Sequence, residues 1–147
     1  QVDPIAAVHE MTQRNDGYTM MRQPVSGADF VFDCIGIKQT MEQILGAART
    51  GNFGVDRGGT AVLVGVPTTG LEIDPVDLLV NETRFIGSIG GSCCPEQDFP
   101  RYLTWHQDGT CDLNTLVTAR YPLDRINEAT TALDRGEIEG RAILVFD

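Results

Sequence analysis

The chain has 147 residues, 41% hydrophobic and 22% charged, which suits an ordinary globular protein with one buried core. Eleven basic against 21 acidic residues leave a net charge of −10, a field that repels a phosphate backbone and sets nucleic acid aside as a partner. No apolar run nears the roughly 20 residues that span a bilayer and no signal-peptide pattern opens the chain, so a membrane is set aside too and a cytoplasmic location is expected.

In chain order, Pro4 to Thr12 reads as a short helix with Ile5, Val8 and Met11 on one face. Gln13 to Gly27 is polar, holds Asn-Asp-Gly and Pro24, and reads as a loop. Asp29 to Cys34 is a mostly apolar strand expected to be buried on both faces. After Ile35-Gly36, Met41, Ile44, Leu45 and Ala48 have the spacing of a helix packed on a sheet. Gly51 to Gly59 is a connecting loop, and Thr60 to Val66 is a β-branched strand that Pro67 stops. Strand, helix, strand predicts a parallel βαβ unit with a right-handed crossover.

Leu71 to Ile73 is expected to be extended, Pro75 to Val80 to form a helical turn, and Arg84 to Ile89 a third strand. After Gly90-Gly91-Ser92, a helix from Glu96 to His106 is expected to bury Phe99, Tyr102 and Leu103. Leu113 to Val117 is a helical turn and Ala119 to Pro122 is extended. Asp124 is expected to cap a helix reaching Asp134, and Arg141 to Phe146 is a last strand.

The four cysteines, Cys34, Cys93, Cys94 and Cys111, form no C-x-x-C pair and stand at no ligand spacing from a histidine. A four-ligand zinc site is therefore not expected. A vicinal Cys93–Cys94 disulfide would be strained, so reduced thiols are the reading. His9 and His106 have no sequence neighbours that suggest a catalytic unit and are read as packing or surface residues. Asn81-Glu82-Thr83 fits a glycosylation acceptor and is read as chance.

A series of stretches then carries a resemblance. They are Gly27-Ala-Asp-Phe-Val-Phe-Asp-Cys-Ile-Gly36, Ala61-Val-Leu-Val-Gly-Val-Pro67, Ile73-Asp-Pro75 with Leu78-Leu79, and Gly87-Ser-Ile-Gly-Gly91. Leu116-Val-Thr118, Tyr121-Pro-Leu, Ile126-Asn-Glu128 and Gly140-Arg-Ala-Ile-Leu-Val-Phe146 follow in order. Over nearly its whole length the chain resembles the C-terminal portion of the zinc-type medium-chain alcohol dehydrogenases. The resemblance implies an α/β fold: a partial Rossmann-like, doubly wound parallel sheet over residues 1–117, then a segment, 118–147, that returns to the catalytic domain. It also implies that the chain enters after the first Rossmann strands, as its first residue being Gln1 and not Met suggests. The glycine-rich pyrophosphate turn, the ribose-selecting acid and the zinc ligands are then expected upstream.

In an open parallel sheet, ligands lie beyond the carboxyl ends of the strands, here Cys34-Ile35-Gly36, Val64-Gly65-Val66 and Gly87-Ser88-Ile89. The resemblance implies that Ile35 to Ile37 flank the adenosine ribose of NAD or NADP. It implies that the Val64 and Gly87 carbonyls and the Ile89 N–H bond the nicotinamide carboxamide, fixing the ring face offered for hydride transfer. Gly36 and Gly65 would let backbone approach the ligand, and Arg141 would reach the pyrophosphate. Val66 and Ser88 would line a pocket for a small alcohol or aldehyde, with Leu79 directed to the partner's channel in a homodimer formed through the edge strand Arg84 to Ile89.

The implied parent is an NAD(P)-dependent alcohol dehydrogenase whose zinc is not bound by these residues. No catalytic residue is named in this chain, which alone is expected to be inactive. Two alternatives stand beside this reading: a zinc-free quinone or enoyl reductase of the same superfamily, and a non-catalytic dimerising or binding module.

Overall fold

The computed structural model describes residues 2–146, and the chain divides into two units, Gln1–Cys93 and Cys94–Asp147. In the first, helix α1 (Pro4–Thr12) starts where Asp3 accepts the Ile5 N–H at 3.0 Å and Pro4 presets the first turn. His9 fastens this helix to the rest of the unit. Its Nε2 lies 2.8 Å from the Gly46 carbonyl and its Nδ1 2.7 Å from the Ser26 hydroxyl. A carbonyl only accepts, so Nε2 carries the donated hydrogen and, in the neutral ring, Nδ1 accepts from Ser26.

Strands β1 (Phe30–Asp33), β2 (Thr60–Leu63) and β3 (Arg84–Gly87) form a parallel sheet in that order, linked through helices α2 (Lys38–Ala47) and α3 (Pro75–Asn81). This is the α/β arrangement that the strand–helix–strand pattern predicts. Met41, fully buried, and Ile44 and Leu45 form the buried face of α2, with Ala48 buried just past its end. Ile44 and Leu45 meet Ala61 of β2, and Val31, Leu78 and Phe85 pack around them.

Four expectations for this unit need correction. Phe30 and Phe32 are 66% and 59% exposed, so β1 is not buried on both faces. Side chains alternate along a strand: Val31 faces the helix layer, while its neighbours point the other way from a strand at the sheet edge. Strand β2 ends at Leu63, short of Pro67, because the Val64 and Gly65 N–H groups both turn to the Asp33 carbonyl at 2.8 Å. Leu71 to Ile73 joins no strand, and β3 stops at Gly87 before a turn over Ile89–Ser92 in which Gly90, Gly91 and Ser92 take positive φ.

At the amino ends of the strands the connecting loops are held by Arg49. Its side chain is 10% exposed, with Nε 2.6 Å from Asp29 Oδ1 and Nη2 3.1 Å from Asp56 Oδ2. Its backbone completes the joint: Arg49 N–H donates to Ala28 at 2.8 Å, and its carbonyl accepts from Gly59 at 2.7 Å. The long loop over 13–27 leans on the one over 51–59, the Phe53 N–H donating to the Tyr18 carbonyl at 2.9 Å. Buried Asn81 secures the end of α3. Its Nδ2 donates to Asp77 at 2.7 Å, and its backbone carbonyl accepts from Gly58 at 2.8 Å. That amide is shut away from a glycosylating enzyme in the folded chain.

In the second unit, helix α4 (Pro95–Gln107) precedes a second βαβ: strands β4 (Val117–Pro122) and β5 (Arg141–Val145) pair in parallel across helix α5 (Ile126–Asp134). Phe99, Tyr102 and Leu103 of α4 are 58%, 39% and 56% exposed, contrary to expectation. Helical spacing puts apolar residues on one face, but burial needs a second surface, and none of the described residues of α4 is buried in this unit. Asp124 does not cap α5. It lies in a 3-10 turn over Leu123–Arg125, and α5 starts at Ile126 with no side-chain cap.

Replacing Arg49 with Met should lower stability by about 1–2 kcal/mol, because it removes the cation shared by Asp29 and Asp56; both carboxylates are more than half exposed and rehydrate, and Asp29 keeps Arg14 at 3.7 Å. Urea unfolding of R49M against the parent chain measures this, and an unchanged midpoint would show that the joint is not needed.

Candidate functional site

The strand-end loops take their shape from Asp33. This residue is 2% exposed, and its carboxylate accepts two backbone N–H groups, from Ile35 at 3.3 Å and Gly36 at 2.9 Å. Its carbonyl accepts two more, from Val64 and Gly65. One residue therefore folds both the turn after β1 and the turn after β2. Sequence reasoning missed it as a site residue. The available signal was an acid closing the apolar run Phe-Val-Phe, since a buried carboxylate has to find donors.

The strand register puts Asp33, Leu63 and Gly87 side by side, so the segments after them emerge at one end of the sheet. Cys34, Ile35, Gly36 and Ile37, Val64, Gly65 and Val66, and Gly87, Ser88 and Ile89 are thus brought together as the sequence predicts. Many are uncovered: Ile35 is 64% exposed, Val66 81% and Ile89 95%. Ser88 N–H donates to the Leu63 carbonyl at 2.9 Å, continuing the ladder one step past β3, and its hydroxyl lies 3.0 Å from that of Ser92.

The glycines at this end do different work. Gly36, at φ +87°, has no room for a side chain: a Cβ would stand 2.1 Å from the Val66 carbonyl oxygen. At Gly65 a Cβ would stand 2.4 Å from the Gly36 nitrogen. The close approach these two glycines allow is that of one turn to the other, and Thr68 N–H donates to the Gly36 carbonyl at 3.2 Å. At Gly87, by contrast, nothing lies within 4 Å of a Cβ position, so that backbone faces open space.

A second group missed in the sequence sits beside the first turn. The Lys38 ammonium, at the start of α2, lies 3.3 Å from Glu72 and 3.6 Å from Glu42. The Glu72 N–H donates to Glu42 at 3.0 Å. The Glu72 hydrogen bond, with the charges of Glu42 and Glu72 behind it, holds the Lys38 ammonium above the usual lysine range. Lys38 and Glu42 are one helical turn apart, but Glu72 stands 34 and 30 residues from them, so only the fold could bring it to them.

Two further predicted residues belong to other elements. Arg141 opens β5 in the second unit, exposed, its Nη1 donating to the Gly140 carbonyl at 3.0 Å. Leu79, 76% exposed, is on α3 a half-turn before Asn81, which binds the loop at the amino end of β2. His9 does meet a serine, Ser26, but its other nitrogen is held by a carbonyl and not by a carboxylate. His106 Nδ1 accepts from the Leu113 N–H at 3.2 Å. Among the described residues no group of three or more His, Cys, Asp or Glu side chains is placed to hold a metal ion.

A family model described as zinc-binding dehydrogenase matches residues 2–108. An alcohol dehydrogenase class-3 from Cereibacter sphaeroides is 29% identical over 124 residues, covering 83% of this chain and 31% of that protein. The alcohol dehydrogenase class-2 isozyme 2 of Oryctolagus cuniculus is 31% identical over 122 residues, 82% of this chain and 30% of that one. Among solved structures, the benzyl alcohol dehydrogenase of Acinetobacter calcoaceticus superposes with a TM-score of 0.76 at 26% identity, covering 100% of this chain and 35% of its own. The chain therefore spans about a third of the length of the relatives it matches.

Asp33→Ala should cost about 2–4 kcal/mol, since it leaves the Ile35 and Gly36 N–H groups without their acceptor. Gly36→Ala should be at least as damaging, because its clash is with backbone that cannot swing away. Thermal or urea unfolding of both variants decides; wild-type stability in either would refute the account of these turns.

Proposed function

This chain belongs to the zinc-binding dehydrogenase family, and we propose that its strand-end loops hold part of the nicotinamide dinucleotide of an alcohol dehydrogenase. The observation that carries the reading is the row of three strand ends in register, with open backbone at Gly87 and uncovered apolar side chains at Ile35, Val66 and Ile89 on a support fixed by Asp33. Such a surface fits a flat, partly apolar ligand. Ile35 to Ile37 flank the adenosine ribose, and the Val64 and Gly87 carbonyls and the Ile89 N–H take the carboxamide. These contacts set which face of the ring meets the substrate. When bound, the dinucleotide supplies the hydride acceptor or donor; this chain's part is to orient it.

Val66 and Ser88 form one wall of the pocket for a small alcohol or aldehyde, with Leu79 serving the partner's channel. Arg141 is the pyrophosphate ligand from the segment 118–147 that belongs to the catalytic domain, residues 1–117 being the dinucleotide-binding part. Strand β3 is an edge of its sheet among the described residues, and its pairing with a second copy of the chain would remove that edge. No helix among the described residues is long and apolar enough to cross a membrane, and we place the protein in the cytoplasm. Among the described residues no cluster of side chains fits a zinc site, and the role assigned to them is confined to the dinucleotide.

NADH added to the 15N-labelled chain should shift the backbone amides of residues 35–37, 64–66 and 88–89, with a dissociation constant of roughly 1 mM, or about 4 kcal/mol. Shifts confined to other residues would sink the reading. With NAD and zinc supplied, the 147 residues should oxidise no alcohol; measured turnover would show that catalysis resides in this chain after all.

A further inference from the structure

Three strand ends meet at the proposed dinucleotide site, and Asp33 has hold of two of them. Its carboxylate takes the N–H groups of Ile35 at 3.3 Å and Gly36 at 2.9 Å, in the turn assigned to the adenosine ribose. Its carbonyl takes the N–H groups of Val64 and Gly65, each at 2.8 Å, in the turn whose Val64 carbonyl is assigned to the carboxamide. The two turns also lie directly against each other. Thr68 N–H donates to the Gly36 carbonyl at 3.2 Å, and a Cβ at Gly36 would stand 2.1 Å from the Val66 carbonyl oxygen. The third strand end is tied differently: Ser88 N–H donates to the Leu63 carbonyl at 2.9 Å, and the backbone at Gly87 is open. One buried residue thus joins the segments assigned to opposite halves of a single ligand, and the third segment stands outside that joint.

We infer that Asp33 is a positioning residue that couples the two halves of the dinucleotide: an adenosine end seated at residues 35–37 sets the turn at 64–66 for the nicotinamide end. The role rests on the proposed cofactor site. At 2% exposed, Asp33 is itself out of a ligand's reach and acts through the backbone N–H groups it holds. A ligand half that orders the first turn orders the second with it, so the other half meets a turn whose ordering cost is already met. Two turns held separately would each have to be ordered by the half that binds there.

The probes are adenosine 5′-monophosphate, which carries the adenosine half alone, and NADH, each titrated into the 15N-labelled full chain. In the parent chain the monophosphate should shift the amides of residues 35–37 and also those of Val64 and Gly65, whose hydrogen exchange should slow about fivefold at saturation. Ser88 and Ile89, outside the joint, should respond to NADH and not to the monophosphate. The variant D33N keeps the side-chain volume and one acceptor oxygen but sets an amide N–H2 against the second backbone N–H. In it the monophosphate should still shift 35–37, while exchange at Val64 and Gly65 no longer changes. The ratio of NADH affinity to monophosphate affinity should fall about fivefold. A merely structural role would weaken both probes alike, and an unmoved ratio overturns the inference. So does a response at Val64 and Gly65 that survives in D33N, because it then comes from direct contact. If D33N does not fold, the parent chain decides: NADH shifts at all three strand ends, with monophosphate shifts confined to 35–37, overturn the coupling and leave the cofactor site standing. If neither probe moves these amides, the site itself is wrong and the role falls with it.

Discussion

A carboxylate cannot be buried without donors, and that constraint at Asp33 organises this molecule's functional end. Four backbone N–H groups converge on one residue, two on the carboxylate and two on the carbonyl. Each belongs to a turn that leaves the sheet, so the turns after β1 and β2 cannot move independently. Gly36 and Gly65 complete the arrangement by letting the two backbones touch. The apolar residues that project from these turns therefore stand on a fixed base, although they themselves are exposed.

The opposite end of the sheet is built on the same logic with the charges reversed. Arg49 is buried among loop backbone, and Asp29 and Asp56 come to it from different loops. Buried Asn81 adds a neutral version of the joint at the end of α3. Long loops over 13–27 and 51–59 can be carried here because their ends are pinned, and closure entropy grows only slowly with length. The structure thus keeps its irregular backbone satisfied at both poles, and leaves open backbone, as at Gly87, where a ligand is proposed.

Local elements were legible because local rules govern them. Pro4 and Asp3 mark the start of α1, and the Met41, Ile44, Leu45 spacing marks the buried face of α2. Thr60 to Leu63 extends because its residues are β-branched or apolar. The same reading failed where a property belongs to two surfaces at once. Phe30, Phe32, Phe99 and Leu103 are apolar enough for a core, yet each is left more than half exposed. Asp124 has the right chemistry for a cap, but the 3-10 turn it sits in delays the helix by one residue.

By itself the sequence determined the alternation of strand and helix and the parallel sheet, since periodicity and crossover connections prescribe them, while β2 and β3 end two to three residues earlier than their apolar runs suggest. Its ordered series of motifs was enough to indicate the family. Tertiary structure alone decided how those ends are held and charged. Asp33 was visible as an acid in an apolar strand, but its four donors arrive only when Ile35, Gly36, Val64 and Gly65 are folded against it. Lys38 and Glu42 are one helical turn apart, but Glu72 joins them only when the loop after β2 lies across the start of α2. A hydrogen bond acts over about 3 Å, whatever the distance along the chain, so groups thirty residues apart meet only through the fold.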